Sequence, residues 1–486
     1  MRPLRLLALA AGTLLAGCSF APTYQAPAVA MPAAWRDKGP WQTGTPADQL
    51  SRGSWWRLFG DDTLSGLEVQ VISANTTLAA ALAHYDAERQ LLVEARSGLF
   101  PSITGGGSMS RNRQSDNRPL RGSNQPDVYN ADTVGLGLNY EADLWGQVRN
   151  QVDAGTATTQ AAAADLESLR LSLQATLATD YFRLRGLDAE AELLTQAVAD
   201  YSKALKLTQL RHEGGIASGI DVGRAETQLE SASAAAQDVA AQRALYEHAL
   251  AVLVGEPASS FSLAPAVVAM TMPHIPVGVP ATLLQRRPDI AAAERRLAAA
   301  NAEIGVARAA YFPVIDIDAT GGYQSTSVAH WLSAPNSFWS LGPSALVTVF
   351  DAGLHKAQVA EARDRYVEAS ADYRGRVLGA FAEVEDNLAL LDDYAAEAGE
   401  RQSASTAATH TEALAMDRYR EGVVNYLDVV TAQTAALQAQ QDVLALATQR
   451  LQASVGLIRA LGGGWSRDAL PGAESLARAA ESGQGG

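Results

Sequence analysis

The sequence predicts a duplicated α+β membrane protein, with four strands per chain entering a transmembrane β-barrel and a long coiled barrel of α-helices continuing it. Three observations carry this prediction. Gln147 to about His212, which contains no proline, and a second stretch of similar length, Leu354 to about Tyr419, read as helices of extreme length. Before each lie two runs in which apolar residues recur at every second position. The second set repeats the first at one offset: Gly146 and Gly353, Gly215 and Gly422, and Asp221 and Asp428 are each 207 residues apart.

The chain begins with the basic segment Met1-Arg2-Pro3-Leu4-Arg5 and an apolar run, Leu6 to Leu15. That run is too short to cross a bilayer, so residues 1–17 read as a cleaved export signal. It ends in Leu15-Ala16-Gly17-Cys18, which resembles the lipobox of bacterial lipoproteins, with Cys18 acylated and Ser19 of the kind sorted to the outer membrane. Cys18 is the single cysteine of the chain, which excludes an intrachain disulfide framework. Residues 18–60 form a lipidated linker: Phe20 to about Gly53 is rich in Pro, Ala and polar residues, and Trp55-Trp56-Arg57-Leu58-Phe59 pins it to the body.

Residues 61–254 make the first repeat. Asp61 to Gly98 reads as one helix with an acidic cap and Leu64, Leu67, Val71, Leu78 and Leu82 on one side. Phe100-Pro101 breaks it, and a β-hairpin occupies about 101–144, its clearest run being Val134, Leu136, Leu138 and Tyr140. Four arginines, Arg111, Arg113, Arg118 and Arg121, mark the hairpin loop. Leu166, Leu169, Leu173, Leu177, Tyr181 and Leu184 then recur at spacings of three and four, close to a coiled-coil repeat. About 66 residues at roughly 1.5 Å each give a rod of about 100 Å. Glycines 214, 215 and 219 turn the chain, and a helix returns to about Val254.

An irregular link, 255–285, leads to the second repeat, 286–461. It contains a helix to Ala310, a break at Phe312-Pro313, and a hairpin at about 313–350 whose second strand is expected around Ser344 to Val349. The second rod follows with Val377, Phe381, Val384 and Leu388 on one face, then a turn and a returning helix. The tail, 462–486, is polar and reads as frayed.

Charge and motifs narrow the function classes. The formal charge is −15, and loss of Arg2 and Arg5 with the signal takes it to about −17, which argues against nucleic acid. The chain shows no phosphate-binding Gly-rich loop, no HExxH, no Cys/His cluster and no nucleophile elbow. No enzyme and no cofactor are expected. Four strands leave two open edges, and a bilayer cannot satisfy edge N–H and C=O groups. The edges must therefore meet copies of the chain, giving twelve strands in a trimer or a narrow eight in a dimer. A soluble coiled-coil scaffold is the bland alternative.

The motifs resemble those of the outer-membrane efflux proteins of the TolC family, in the OprM/NodT-like lipoprotein branch. The likeness rests on the lipobox, Trp55-Trp56-Arg57-Leu58-Phe59, Tyr140-Glu141-Ala142-Asp143-Leu144-Trp145-Gly146, Leu283-Leu284-Gln285-Arg286-Arg287-Pro288-Asp289-Ile290, Ile304-Gly305-Val306-Ala307-Arg308-Ala309 and Tyr419-Arg420-Glu421-Gly422. It implies a homotrimer with a twelve-strand barrel, a periplasmic helical tube and an equatorial collar. It further implies an outer-membrane efflux duct that docks on a periplasmic adaptor (membrane fusion) protein and an inner-membrane pump of the RND type. Protein secretion through a type I system is the rival duct.

The resemblance concentrates function at the rod tips. A ring of three carboxylates near the axis serves as a constriction, with Asp428 first and Asp221 as its repeat mate. Each aspartate fits equally a bland role, capping the returning helix. Relatives often carry a further aspartate where this chain has Thr431, so the gate set also includes Thr431, Tyr419, Arg420 and Glu421. Gly214, Gly215, Gly422 and Val423 are expected to form tight turns that touch the adaptor. Arg286, Arg287, Pro288 and Asp289 read as structural, with Pro288 in a first helical turn and the arginines paired to collar carboxylates. Trp331 and Trp339 are expected at the outer loop, near lipid headgroups.

Overall fold

Both long stretches lack proline and carry few glycines among helix formers, and the computed structural model shows each as one helix of 67 residues, Gln147–Glu213 (α3) and Leu354–Arg420 (α7). The structure describes residues 19–30, 32, 34–36, 54–115, 117, 126–268, 271–275, 283–329 and 331–482. The expected signal, Cys18, Arg118 and Arg121 lie outside the described residues. The remaining helices are α1 (Asp62–Ala74), α2 (Thr76–Ser97), α4 (Gly219–Leu253), α5 (Leu283–Arg286), α6 (Pro288–Ala309), α8 (Tyr426–Ala460) and α9 (Ala473–Ser482).

Among the described residues four strands, β1 (Ser102–Arg113), β2 (Val128–Glu141), β3 (Val314–Ser325) and β4 (Ser337–Leu346), form one antiparallel sheet in chain order, with β1 and β4 as its edges. The register sorts residues by face. Ile103, Met109, Val134, Leu136, Leu138, Ile317, Trp339 and Leu341 share one side, while Thr104, Ser108, Thr133, Asn139, Asp318, Thr320 and Ser340 share the other. On the polar side Asn139 donates to Asp318 at 3.0 Å. β2 and β3 approach closely: a Cβ on Gly322 would lie 2.2 Å from the Val134 carbonyl oxygen, so the two hairpins join where glycine permits.

β4 begins seven residues before the expected strand and ends at Leu346 instead of Val349. Pro343 lies opposite Ile317 in the ladder, tolerated on an edge strand of the protomer. Trp339 is thus a strand residue, 81% exposed on the apolar face, whereas Trp331 stays in the outer loop.

The helices build a wall four across. In the half nearest the sheet the order is α2, α3, α6, α7; in the half nearest the tips it is α4, α3, α8, α7. Short helices therefore meet end to end beside the rods, at two junctions of one design. The single helix expected over Asp61–Gly98 breaks at Asn75, which is buried and extended (φ −68°, ψ 121°). Asn75 Oδ1 accepts from Leu78 N at 2.9 Å and its Nδ2 donates to the last-turn carbonyl of Leu253 at 2.8 Å. The same site in the second half is Arg287, whose Nη1 donates to the carbonyl of Ala460 at 3.0 Å. In both, the C-terminal end of a returning helix faces the N-terminal end of the next, a favourable alignment of dipoles.

Glycines finish each junction. Gly255 and Gly462 have φ of +76° and +91°, and a Cβ there would lie 2.4 Å from Ala74 O and 2.0 Å from Arg286 O. The largest core cluster surrounds this level, with Trp56, Leu64, Leu177, Tyr181, Leu184, Val377, Val384 and Leu457. The tail is not frayed throughout the described residues: Trp465 and Leu470 pack on Ala164, Ala291 and Ala292, and α9 buries Leu476. An amphipathic turn with α2 to cover outweighs its polar composition.

Candidate functional site at the rod tips

Both rods end alike because both carry a glycine that adopts positive φ, Gly215 (+75°) and Gly422 (+80°). Gly215 N and Ile216 N donate to His212 O and Arg211 O at 2.9 and 2.8 Å; Gly422 N and Val423 N donate to Tyr419 O and Arg418 O, both at 2.9 Å. Gly214 and Glu421 occupy the matching C-cap positions. Ser218 and Asn425 then cap the returning helices, accepting from Asp221 N and Asp428 N, both at 3.3 Å. Ile216 and Val423 project from the turns, exposed.

The two aspartates, equivalent in sequence, differ in what surrounds them. Asp221 closes a capping box, accepting from Ser218 N at 3.1 Å and Ser218 Oγ at 2.8 Å, and lies 3.6 Å from Arg224. Its carboxylate is occupied by its own helix. In the second half the position of Arg224 is taken by Thr431, whose Oγ1 donates to Leu427 O at 2.8 Å. Asp428 is exposed, and its carboxylate has no bond or ion pair among the described residues. The repeat neutralises one carboxylate and leaves the other free.

Tyr419 is buried, in contrast to its neighbours. Its hydroxyl donates to Thr208 Oγ1 at 3.2 Å and its ring meets Tyr426 edge-on at 5.2 Å. Arg211, from the end of α3, donates to the Tyr419 carbonyl and lies 4.5 Å over the Tyr419 ring. A cation at the last carbonyls of α7 also suits the helix dipole. The buried Tyr426 hydroxyl is pushed up to about 12 by burial, then by Tyr419 and Tyr201. Arg420 pairs with Asp417 of its own helix at 3.1 Å, and Glu421 is exposed, so neither joins the halves. Arg211 escaped notice in the sequence, although Arg418 stands at the same position of the other rod.

Away from the tips, Pro288 begins α6, as expected. Arg287 pairs with Asp289 at 2.8 Å and Glu383 at 2.7 Å, so its partners lie on α6 and the rod α7. Arg286 ends α5. Among the described residues no group of His, Cys, Asp and Glu is arranged to hold a metal, and no helix is long and apolar enough to cross a membrane.

The sequence matches the family described as outer membrane efflux protein over residues 67–256 and 279–463. It is 32% identical to the antibiotic efflux pump outer membrane protein ArpC of Pseudomonas putida, covering 93% of this chain and 94% of ArpC. It is 31% identical to outer membrane protein OprJ of Pseudomonas aeruginosa, over 94% of this chain and 95% of OprJ. The fold superposes on the outer-membrane channel OprN with a TM-score of 0.84 at 29% identity, covering 92% of this chain and all of that one.

Proposed function

This chain belongs to the outer membrane efflux protein family, and from that premise we infer that it is the exit duct of a tripartite efflux system. It conducts passively what an inner-membrane pump, of the RND type, and a periplasmic adaptor deliver. One observation carries the reading: a four-stranded sheet with two open edges and one apolar face, continued by rods of about 100 Å. Three copies supply twelve strands and close the edges. The wall of helices closes with it into a tube, and no step of chemistry is asked of any side chain.

The start of the described chain supports lipid anchoring at Cys18. Phe20 stacks on Phe312 at 4.5 Å, and Trp145 stacks on Phe312 at 4.9 Å, at the feet of the two hairpins. Ser19 Oγ donates to Asn150 at 2.8 Å in the first turn of α3. Ser19 and Phe20 therefore sit at the level where sheet gives way to helix, which is where an anchor to the inner leaflet would be joined.

At the tips, the free carboxylate of Asp428 makes it the gate residue, with Asp221 a helix cap and Thr431 a spacer. Tyr419 and Arg211 latch the two helix pairs. Gly214, Gly215, Gly422 and exposed Val423 present the turns to the adaptor. The test is single-channel conductance of the purified trimer in planar bilayers, wild type beside Asp428→Ala. Ion-conducting trimers whose mutant opens more readily support duct and gate together. Folded trimers that never conduct, with every tip charge removed, would overturn the duct.

A further inference from the structure

Successive residues of a strand point to opposite faces, so the ladder fixes where the two arginines at the end of β1 project. Arg111 lies opposite Asn130 and Arg113 opposite Val128, in the series that places Ile103 and Met109 on the apolar face. The interleaved Ser110 and Asn112 belong to the polar face, where Asn112 Nδ2 donates to Ser110 Oγ at 2.9 Å. Both arginines are exposed, and neither makes a hydrogen bond or ion pair among the described residues. Asp132, one step below Arg111 on the same face, is 7% exposed and pairs with neither. Two free guanidiniums therefore stand on the side of the sheet that meets lipid, not on the side that lines the bore.

Height decides what they meet. α2 ends at Ser97 and β1 starts at Ser102, so β1 runs away from the rods and its last residues lie at the far rim. The apolar face climbs from Ile315 to Ser325 of β3, and Ser325 is level with Met109 through Asp132. Those ten steps, at roughly 3.3 Å each in strands tilted by about 40°, rise about 25 Å, the height of a transmembrane barrel's apolar band. Arg111 and Arg113 stand one and two steps above Met109, about 5 and 10 Å higher, which is headgroup level.

The chemistry selects the headgroup. A guanidinium offers a planar fork of N–H donors that grips phosphate through two parallel bonds. Two forks about 7 Å apart on one strand can share a phosphate or hold two neighbouring ones. With the rods in the periplasm, this rim lies in the outer leaflet, whose lipid is a phosphorylated glycolipid with its phosphates at the top of the acyl chains. Three copies place six such arginines around the barrel. We propose that Arg111 and Arg113 clamp the phosphates of that glycolipid, setting the depth of the barrel and sealing its rim. The choice of leaflet rests on the duct reading; the outward aim of the arginines does not.

The test uses the delipidated full-length trimer in detergent, with native mass spectrometry to count bound lipid. The probes are bis-phosphorylated lipid A and the same lipid stripped of phosphate by a phosphatase. Wild type should retain the phosphorylated form in preference. Arg111→Gln combined with Arg113→Gln should weaken retention about 25-fold, at about fivefold per arginine beside an anionic surface. Arg111→Lys with Arg113→Lys keeps the charge without the fork, and should bind better than the glutamine pair but short of wild type. Equal retention of both lipids, wild-type retention in the glutamine variant, or a lysine variant equal to either would each overturn the clamp. Release of the lipid by excess inorganic phosphate would overturn the lipid as the source. Conductance in planar bilayers should be the same in all variants, which also checks that the barrel is intact. Trimers that hold lipid A yet never conduct would strike the duct reading and leave the clamp; conducting trimers indifferent to lipid phosphate would strike the clamp alone.

Discussion

Arg211→Ala should loosen the tip without unfolding the rods. The side chain makes one charge-assisted bond, to the Tyr419 carbonyl, and one cation–π contact at 4.5 Å. A hydrogen bond of this kind is worth about 1.5–3 kcal/mol, reduced to about 1 kcal/mol for a half-buried group near water. The cation–π contact adds about 0.5–1 kcal/mol at such a site. The latch is then worth about 2 kcal/mol per protomer, or roughly a 30-fold shift toward the open tip. Three protomers opening together would feel about three times that energy. The assay is dwell time in the closed level in planar bilayers, with thermal unfolding as a check on folding. Arg418→Ala removes an exposed arginine at the matched position of the other rod and should leave the dwell times alone. If Arg211→Ala trimers melt like wild type and stay closed as long, the latch is not there.

Three further outcomes follow from the same structure. Asp221→Ala should cost about 1 kcal/mol of local stability, read as faster amide exchange in the first turn of α4, with conductance unchanged. Arg287→Ala strips the cap from α8 and leaves Asp289 and Glu383 unpaired, and should lower the unfolding free energy, read by denaturant titration, by about 2–3 kcal/mol, less than for a fully buried pair because Glu383 is partly exposed. Burial alone would raise Asp289, but the Arg287 guanidinium holds it below the usual carboxylate range, so this contribution is present above about pH 4 and vanishes as acid protonates it in the folded state. Glu68 is wholly buried and has no partner among the described residues, and burial pushes it up to about 9. The folded state then holds a proton that the unfolded chain releases above about pH 4.5, so stability should fall between that pH and about 9. Glu68→Met should raise stability at pH 8 by about 1–3 kcal/mol and flatten that slope; an unchanged pH profile would sink the argument.

The rods were legible to within a residue because neither stretch contains a proline, their few interior glycines are outweighed by helix formers, and both are followed by glycines that take positive φ. The offset of 207 residues located both tips before any coordinate. What escaped depends on partners far away in the chain. Asn75 sits in a helical pattern, and only its bond to Leu253, 178 residues on, shows why the helix stops there. The start of β4, through Trp339, reads as loop until β3 is laid beside it. At the site, sequence named Asp428 and Asp221 together. The difference between them lies in Arg224 against Thr431, which the repeat alignment contains but which means nothing until the carboxylates are placed.

The paired junctions at Asn75 and Arg287 constrain how such a wall can deform. A seam between two helix ends transmits tension poorly, since only a few hydrogen bonds cross it. Each seam, however, lies alongside a rod that runs past it unbroken, and Arg287 is riveted to α7 through Glu383. The arrangement is that of a splice joint, in which a continuous member carries the load across a cut in its neighbour. Bending cannot localise at the seam without bending α3 or α7 as well. Compliance is therefore spread along the rods, and a push applied at one end should arrive at the other as twist, with the mid-section keeping its bore.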